Sequence, residues 1–212
     1  MIERGATVGA ANMEGATALF LAAQEGKADV VGLLIEKDAN VDAANAQGAT
    51  PLLLAAMNGH AEAVGLLVEG GANVDVADED GVTPLHTAAK NGHAEVVGLL
   101  IKGGDKVDAV SDDATPLFNA RFWDRADAAV TLVRAGADPT RTVDGLAYKA
   151  LGAALNKESA ATTAAVEAAV AETSVVSIME WHAAAADRLR VAAALASQAR
   201  DRGLRHACAP GK

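Results

Sequence analysis

The feature that most constrains the fold of this chain is an internal repeat of 33 residues. Thr17, Thr50 and Thr83 are spaced 33 residues apart, and Thr115 follows after 32. Aligned on these threonines, three segments agree column by column: NMEGATALFLAAQEGKADVVGLLIEKDANVDAA, NAQGATPLLLAAMNGHAEAVGLLVEGGANVDVA and DEDGVTPLHTAAKNGHAEVVGLLIKGGDKVDAV. A fourth, SDDATPLFNARFWDRADAAVTLVRAGADPT, follows the pattern loosely. Such a period indicates a linear array of small structural units.

The columns of the repeat predict two short helices joined by turns. Gly48 and Gly81 can adopt the positive φ that a tight turn needs, and Pro51 and Pro84 suit the first position of the helix that follows. Gly59 suits the left-handed end of that helix, and a second apolar helix comes after it. Neither helix can cover its apolar face alone, so each copy must stack on its neighbours.

The period, and the sequence TPLHTA at residues 83–88, resemble the ankyrin repeat. The resemblance implies an all-α ankyrin-repeat solenoid of helix–turn–helix repeats joined by β-turn or hairpin loops, with an Ala-rich helical C-terminal extension. The predicted units are a partial repeat at 1–11 (the end of a second helix), repeats at 12–44, 45–77 and 78–110, a divergent repeat at 111–140, a degenerate repeat or cap at 141–156, and the extension and tail at 157–212. Since residues 1–11 align with the end of a second helix, we expect the leading apolar face of residues 17–34 to be partly uncovered and the chain to be a fragment of a longer array.

Several positions depart from the family pattern. Only the third copy keeps the histidine of the TPLH sequence, His86, and the others carry Phe20, Leu53 and Phe118, so packing must replace its hydrogen bonds there. His60 and His93 follow the helix-ending glycine as in the family, and we interpret them as structural. The second helices each contain a glycine that should cost about 1 kcal/mol relative to alanine, at Gly32, Gly65 and Gly98.

Charge and composition favour an intracellular protein of the cytoplasm or nucleus. The single cysteine, Cys208, excludes an internal disulfide framework. The sequence contains no run of 18 apolar residues of the kind that spans a membrane. Residues 1–140 contain 9 Lys/Arg against 21 Asp/Glu, whereas residues 141–212 contain 9 against 7. The repeat array is therefore the acidic part of the chain.

The sequence lacks the motifs of catalysis and cofactor binding. It has no H-E-x-x-H, no phosphate-binding G-x-x-x-x-G-K-[ST] and no G-x-S-x-G. The acidic run VADEDG fails as an EF-hand, because Val76 and Thr87 occupy the first and twelfth ligand positions. We therefore expect no enzymatic activity, no catalytic residues, no metal, no cofactor and no small-molecule substrate.

The resemblance implies a concave partner-binding strip formed by the turn tips and the ends of the first helices. The partner-binding residues predicted on it are Asp78, Glu79, Asp80, Asp112, Asp113, Met57, Asn58, Lys90, Asn91, Phe122 and Trp123. These side chains suit another protein with basic and apolar contact residues, and favour a scaffold or adaptor. The alternative is a targeting or regulatory fragment of a longer enzyme or channel whose active part lies upstream of Met1.

The fourth copy concentrates aromatic residues in a chain that is only 3% aromatic. Residues 120–126 read ARFWDRA where the preceding copies read AAMNGHA and AAKNGHA, so Arg121 replaces a packed alanine and Asp124 the glycine that ends the helix. Either Phe122 and Trp123 are exposed anchors of a binding hot spot, or they fold inward or lie under a C-terminal helix that carries Trp181.

The C-terminal third carries no repeat pattern. Residues 159–172 have good helix propensity but little to bury, and the capping-box spacing of Ser177 and Glu180 predicts a further helix. The array is therefore expected to stay folded when residues beyond about 156 are deleted. The basic side chains of that further helix suggest a solvated face or a contact with the acidic array rather than nucleic acid or an acidic membrane, and Trp181 is the one aromatic residue there that could stack on a base.

Overall fold

The computed structural model describes residues 7–111, 114–139 and 160–173. These ranges contain helices joined by short turns and two isolated β-bridges, Ala11–Thr17 and Ser111–Ala114, but no strand. The helices are α1 (Ala18–Gln24), α2 (Ala28–Glu36), α3 (Pro51–Asn58), α4 (Ala61–Glu69), α5 (Pro84–Asn91), α6 (Ala94–Lys102), α7 (Pro116–Phe122), α8 (Ala126–Arg134) and α9 (Ala160–Thr173).

The threonine of each repeat begins the first helix of its pair. In the first, second and fourth repeats its hydroxyl oxygen accepts a hydrogen bond from the backbone N–H three residues on, at Phe20 (3.2 Å), Leu53 (3.2 Å) and Phe118 (3.1 Å). Such a cap contributes about 1 kcal/mol. The repeats without histidine thus keep a capping hydrogen bond in addition to packing, whereas the sequence predicted that packing alone would replace the hydrogen bonds of the histidine.

The third repeat uses its histidine instead. Thr83 Oγ1 lies 2.8 Å from His86 Nδ1, and His86 Nε2 lies 3.2 Å from the carbonyl oxygens of both Ala109 and Ala114. Because carbonyl oxygens only accept, Nε2 carries the hydrogen and Nδ1 accepts from the threonine hydroxyl. The buried His86 therefore ties α5 to the turn that leads into the fourth repeat.

The helix pairs stack in register to form two layers. The first helices α1, α3, α5 and α7 contact one another in order, and so do the second helices α2, α4, α6 and α8. The same leucine of each first helix is almost completely buried, at Leu19, Leu52, Leu85 and Leu117. The predicted dependence of each repeat on its neighbours is thus visible in the core, which is continuous along the stack.

Side-chain to backbone hydrogen bonds join successive repeats on both sides of this core. On one side an aspartate accepts from a backbone N–H of the next repeat: Asp42 from Asn73 (3.0 Å), Asp75 from Lys106 (3.3 Å) and Asp108 from Asp138 (3.2 Å). On the other side a ring or guanidinium nitrogen reaches a carbonyl oxygen of the preceding repeat: His60 to Gln24 (3.0 Å), His93 to Met57 (3.1 Å) and Arg125 to Lys90 (3.2 Å). The structural interpretation of His60 and His93 is confirmed.

The leading face of the first repeat is partly uncovered, as the sequence predicts. Leu21 is 48% exposed, whereas Leu54, its equivalent in the second repeat, is 9% exposed. Val30 is 45% exposed, whereas its equivalent Ala63 is 1% exposed. The difference arises because the preceding repeat covers this face in every later copy.

The expectation that residues 159–172 have little to bury is wrong. Helix α9 packs against α8, and Val166 and Val170 join the common core with 0% and 3% of their surface exposed. The buried Thr162 hydroxyl donates a hydrogen bond to Asp124, and Arg134 forms a two-bond ion pair with Glu172 (2.8 and 3.0 Å). Helix α9 therefore extends the second-helix layer beyond α8.

Other predictions fall on residues that the structure does not describe. These are the degenerate repeat at 141–156, the helix expected after Ser177, Trp181, Cys208 and the first residues of the partial repeat. They remain predictions from sequence.

Candidate partner-binding surface

The turn tips of the first three repeats are each built by one polar side chain. Asp78 Oδ1 accepts from the backbone N–H groups of Asp80 (3.1 Å) and Val82 (2.9 Å), and Asn12 and Asn45 make the same pair of bonds in their own turns. Such short polar side chains stabilise turns by replacing a backbone acceptor. Asp78 is therefore half-buried and holds the turn, while the next two residues, Glu79 and Asp80, are exposed.

Backbone hydrogen bonds fix neighbouring tips against each other. Ala46 N donates to Glu14 O (3.0 Å), and Glu79 N donates to Gln47 O (3.2 Å). The exposed side chains at the tips are consequently held at a constant spacing from repeat to repeat. Asp112 and Asp113, predicted to continue this arrangement, lie outside the described residues.

The first-helix ends form a second line of exposed residues. Asn58 Nδ2 donates to Gln24 O (3.1 Å), and Asn91 Nδ2 donates to Met57 O (2.8 Å). Both amides, predicted as partner contacts, thus also hold the stack together, a role that the repeat pattern did not reveal. Met57, which directly precedes Asn58 in the sequence, is 37% exposed.

The aromatic residues of the fourth repeat form a compact cluster. The rings of Phe118 and Phe122 stack with centroids 5.9 Å apart, and Trp123 meets Phe122 edge-on at 5.4 Å. Phe122 is half-buried, whereas Trp123 remains 42% exposed. Trp123 occupies the column of Asn58 and Asn91, so this repeat presents a large ring where the second and third repeats present an amide.

Lys90 links the third repeat to this cluster. Its Nζ lies 5.4 Å from the centroid of the Trp123 ring, within the range of a cation–π interaction. Its carbonyl oxygen accepts from Arg125 Nε. Lys90 and Trp123, predicted separately as contact residues, are thus brought together, and the indole contacts both a cation and a phenyl ring.

Asp124 ends α7 in the left-handed conformation that its column requires. Its φ is 56°, where Gly59 and Gly92 have 77° and 85°. Aspartate tolerates this conformation better than most residues. The prediction that Asp124 replaces the helix-ending glycine is therefore confirmed, and its side chain gains the bond to Thr162.

The predicted contacts fall into two separate lines. The tip that carries Glu79 and Asp80 precedes α5, and Lys90 lies at the opposite end of that helix. Lys90 is seven positions after Thr83 along the helix. At a rise of 1.5 Å per residue, the two residues are therefore about 10 Å apart along the helix axis. A partner must therefore span roughly one short helix to contact both the acidic tips and Trp123.

Sequence reasoning missed one notable residue, Asp105. It is 5% exposed, and neither of its carboxyl oxygens has a hydrogen-bond partner in the described part of the chain. Burial, and secondarily the nearby Asp75 carboxylate, raises the pKa of Asp105 to about 8. The signal was present in the alignment, because the other copies carry alanine in this column, at Ala39, Ala72 and Ala137.

Within residues 7–111, 114–139 and 160–173, no three histidine, cysteine or acidic side chains are grouped as metal ligands. None of the helices in these ranges has the length and apolar character needed to cross a bilayer.

Comparison with known families agrees with this description. The chain forms an all-α repeat solenoid, a class that presents an extended surface for binding. A family model described as ankyrin repeats (3 copies) matches residues 1–78 and 66–143, so the chain belongs to the ankyrin-repeat family. Ankyrin repeats are generally protein–protein interaction modules and typically lack enzymatic activity. None of the curated proteins compared with the chain matches it.

Proposed function

We propose that this chain is an intracellular scaffold or adaptor that binds a protein partner through its turn tips and first-helix ends, with Trp123 as the main anchor. It acts by recognition and carries out no chemistry. The general role of ankyrin repeats supports the proposal, and the choice of anchor rests on the fourth repeat.

The exposure of Trp123 is the observation that carries the proposal. Its ring is 42% exposed, and both Phe122 and Lys90 contact it. Tryptophan is enriched among residues that dominate binding energy. A ring that is already held in place loses little conformational entropy when a partner covers it.

The surroundings of the anchor indicate the chemistry of the partner. Met57 and Trp123 offer apolar surface at the first-helix ends, while Glu79 and Asp80 offer carboxylates at the tips. The fitting partner has an apolar side chain for the first line and basic side chains for the second. Asp78, Asn58 and Asn91 contribute mainly by fixing the shape of this surface.

The proposal can be tested with peptides selected from a random display library against the chain. Their affinities are then measured by titration for the native chain and for Trp123→Ala. Truncating a hot-spot residue costs about 2 kcal/mol or more, a loss of about thirtyfold in affinity. Leu33→Ala is the matched control, because Leu33 is 46% exposed but lies on the second helix of the first repeat.

Two further measurements separate anchoring from steering. The double change Glu79→Gln with Asp80→Asn should slow association and weaken its salt dependence, because these carboxylates attract basic partners at long range. Trp123→Ala should change the free energy of unfolding by less than about 1 kcal/mol, as expected for an exposed position. Equal affinity of the selected peptides for Trp123→Ala and Leu33→Ala would refute the assignment of the anchor.

A further inference from the structure

Asp105 lies in the third repeat, in the turn that faces Asp75 of the second repeat. It follows Gly103 and Gly104, which come after the last residue of α6, and its backbone N–H donates to Leu100 O (3.2 Å) as in the other copies. Ala72 and Ala137, in the same column, are 8% and 4% exposed. The fold thus places a carboxyl group in a position built for a methyl group.

The charged groups around Asp105 compensate its charge only in part, because Lys106 lowers the pKa of Asp105 but burial and the Asp75 carboxylate raise it more. Lys106 directs its Nζ to Asp75 Oδ2 (3.3 Å), and its backbone N–H donates to Asp75 Oδ1 (3.3 Å). Asp75 therefore takes both bonds and adds a second negative charge beside Asp105. Further along the same turn, Asp108 accepts from the backbone of Asp138, and His86 bonds to carbonyl oxygens.

We propose that the turn after α6 is a proton-controlled joint, in which protonated Asp105 packs like the alanines of the other copies and loss of its proton loosens the third repeat from the second and fourth. An ionised carboxylate without a partner is costly to bury. The turn can relieve that cost by opening toward water. Opening would break the Asp75–Lys106 backbone bond and disturb the next one, between Asp108 and Asp138, which holds the fourth repeat to the third.

The direction of the pH effect follows from the two protonation states. The pKa of Asp105 is about 8 in the folded chain against 3.8 for an ordinary aspartate. Between these values the folded chain binds one proton more than the unfolded chain. Stability contributed by this group is therefore complete at low pH and is lost as the pH rises toward the folded pKa, by about tenfold in the unfolding constant per pH unit.

The test compares the full chain with Asp105→Ala, Asp105→Asn and Asp80→Ala by urea unfolding from about pH 5.5 to about pH 7.5. Over these two units the unfolding constant of the native chain should rise about a hundredfold relative to that of Asp105→Ala. Asp105→Asn should share the flatter profile, because it also cannot ionise. Asp80→Ala removes an exposed aspartate and should keep the native profile. Alanine already occupies this column in three copies, so the alanine variant should fold.

Amide hydrogen exchange locates the effect. In the native chain, exchange in the helices of the third and fourth repeats, α5 to α8, should accelerate with pH beyond its intrinsic dependence, and Asp105→Ala should abolish the excess. Helices α1 and α2 should show no such excess. Parallel pH profiles for the native chain and both Asp105 variants, or an excess spread evenly over all repeats, would overturn the proposal.

Discussion

The double change Val166→Ala with Val170→Ala tests whether α9 is a structural part of the stack. The two valines are 0% and 3% exposed against α8. Each truncation removes about two methylene equivalents, or about 1.6 kcal/mol of burial. The higher helix propensity of alanine relative to valine offsets about 0.5 kcal/mol of this loss per site. The net expectation is a loss of about 2 kcal/mol in the free energy of unfolding.

Urea denaturation followed by circular dichroism measures this loss, and hydrogen exchange shows where it falls. Because each repeat contacts only its neighbours, α8 should lose protection while α2 keeps it. Val30→Ala is the matched control, since it makes the same substitution at a helical valine that is 45% exposed. If the double variant loses no more stability than this control, α9 is not a cap, and the array should fold without it as the sequence first indicated.

Other substitutions test the repeat itself. Gly65→Ala and Gly98→Ala should each add about 1 kcal/mol to the free energy of unfolding, because a Cβ at either site would meet nothing within 4 Å; a loss in urea denaturation would contradict this. Gly59→Ala should destabilise the chain, because Gly59 has a φ of 77° and a Cβ there would lie 2.6 Å from the His93 ring. His86→Leu should cost about 1 to 3 kcal/mol by leaving the Ala109 carbonyl oxygen without its hydrogen bond from His86, and an unchanged unfolding midpoint would show that water replaces this bond.

The periodic part of the fold could be predicted from sequence because translation repeats its physical determinants. Thr50, Pro51 and Gly59 specify a cap, a helix start and a helix end locally, and the same residue types recur 33 residues later. The burial of helix α9 was not predicted because its alanines and valines are distributed around the helix, so the sequence shows no apolar stripe. Only its packing on α8 reveals which face is covered.

The candidate surface was predictable as a set of columns but not as a set of roles. Asn58 and Trp123 share a column, yet the first donates to a carbonyl of the preceding repeat and the second contacts Lys90. A column gives the position of a side chain along the stack and leaves its partner undetermined. For Asp105, the sequence shows that an aspartate replaces the alanine of the other copies. It does not show that this aspartate is buried, because its burial depends on tertiary packing.

The bonds between repeats separate the residues that maintain the stack from those that can diversify. His60, His93 and Arg125 each reach a backbone oxygen, and the residues that supply those oxygens are Gln24, Met57 and Lys90. Every amino acid carries that oxygen, so a substitution at these three positions leaves the acceptor intact. After gene duplication, the side chain at the end of the first helix can therefore differ between repeats, as an amide, a thioether or an ammonium group, without loss of the bonds that hold the stack together. One scaffold can thus evolve a new binding specificity at little structural cost.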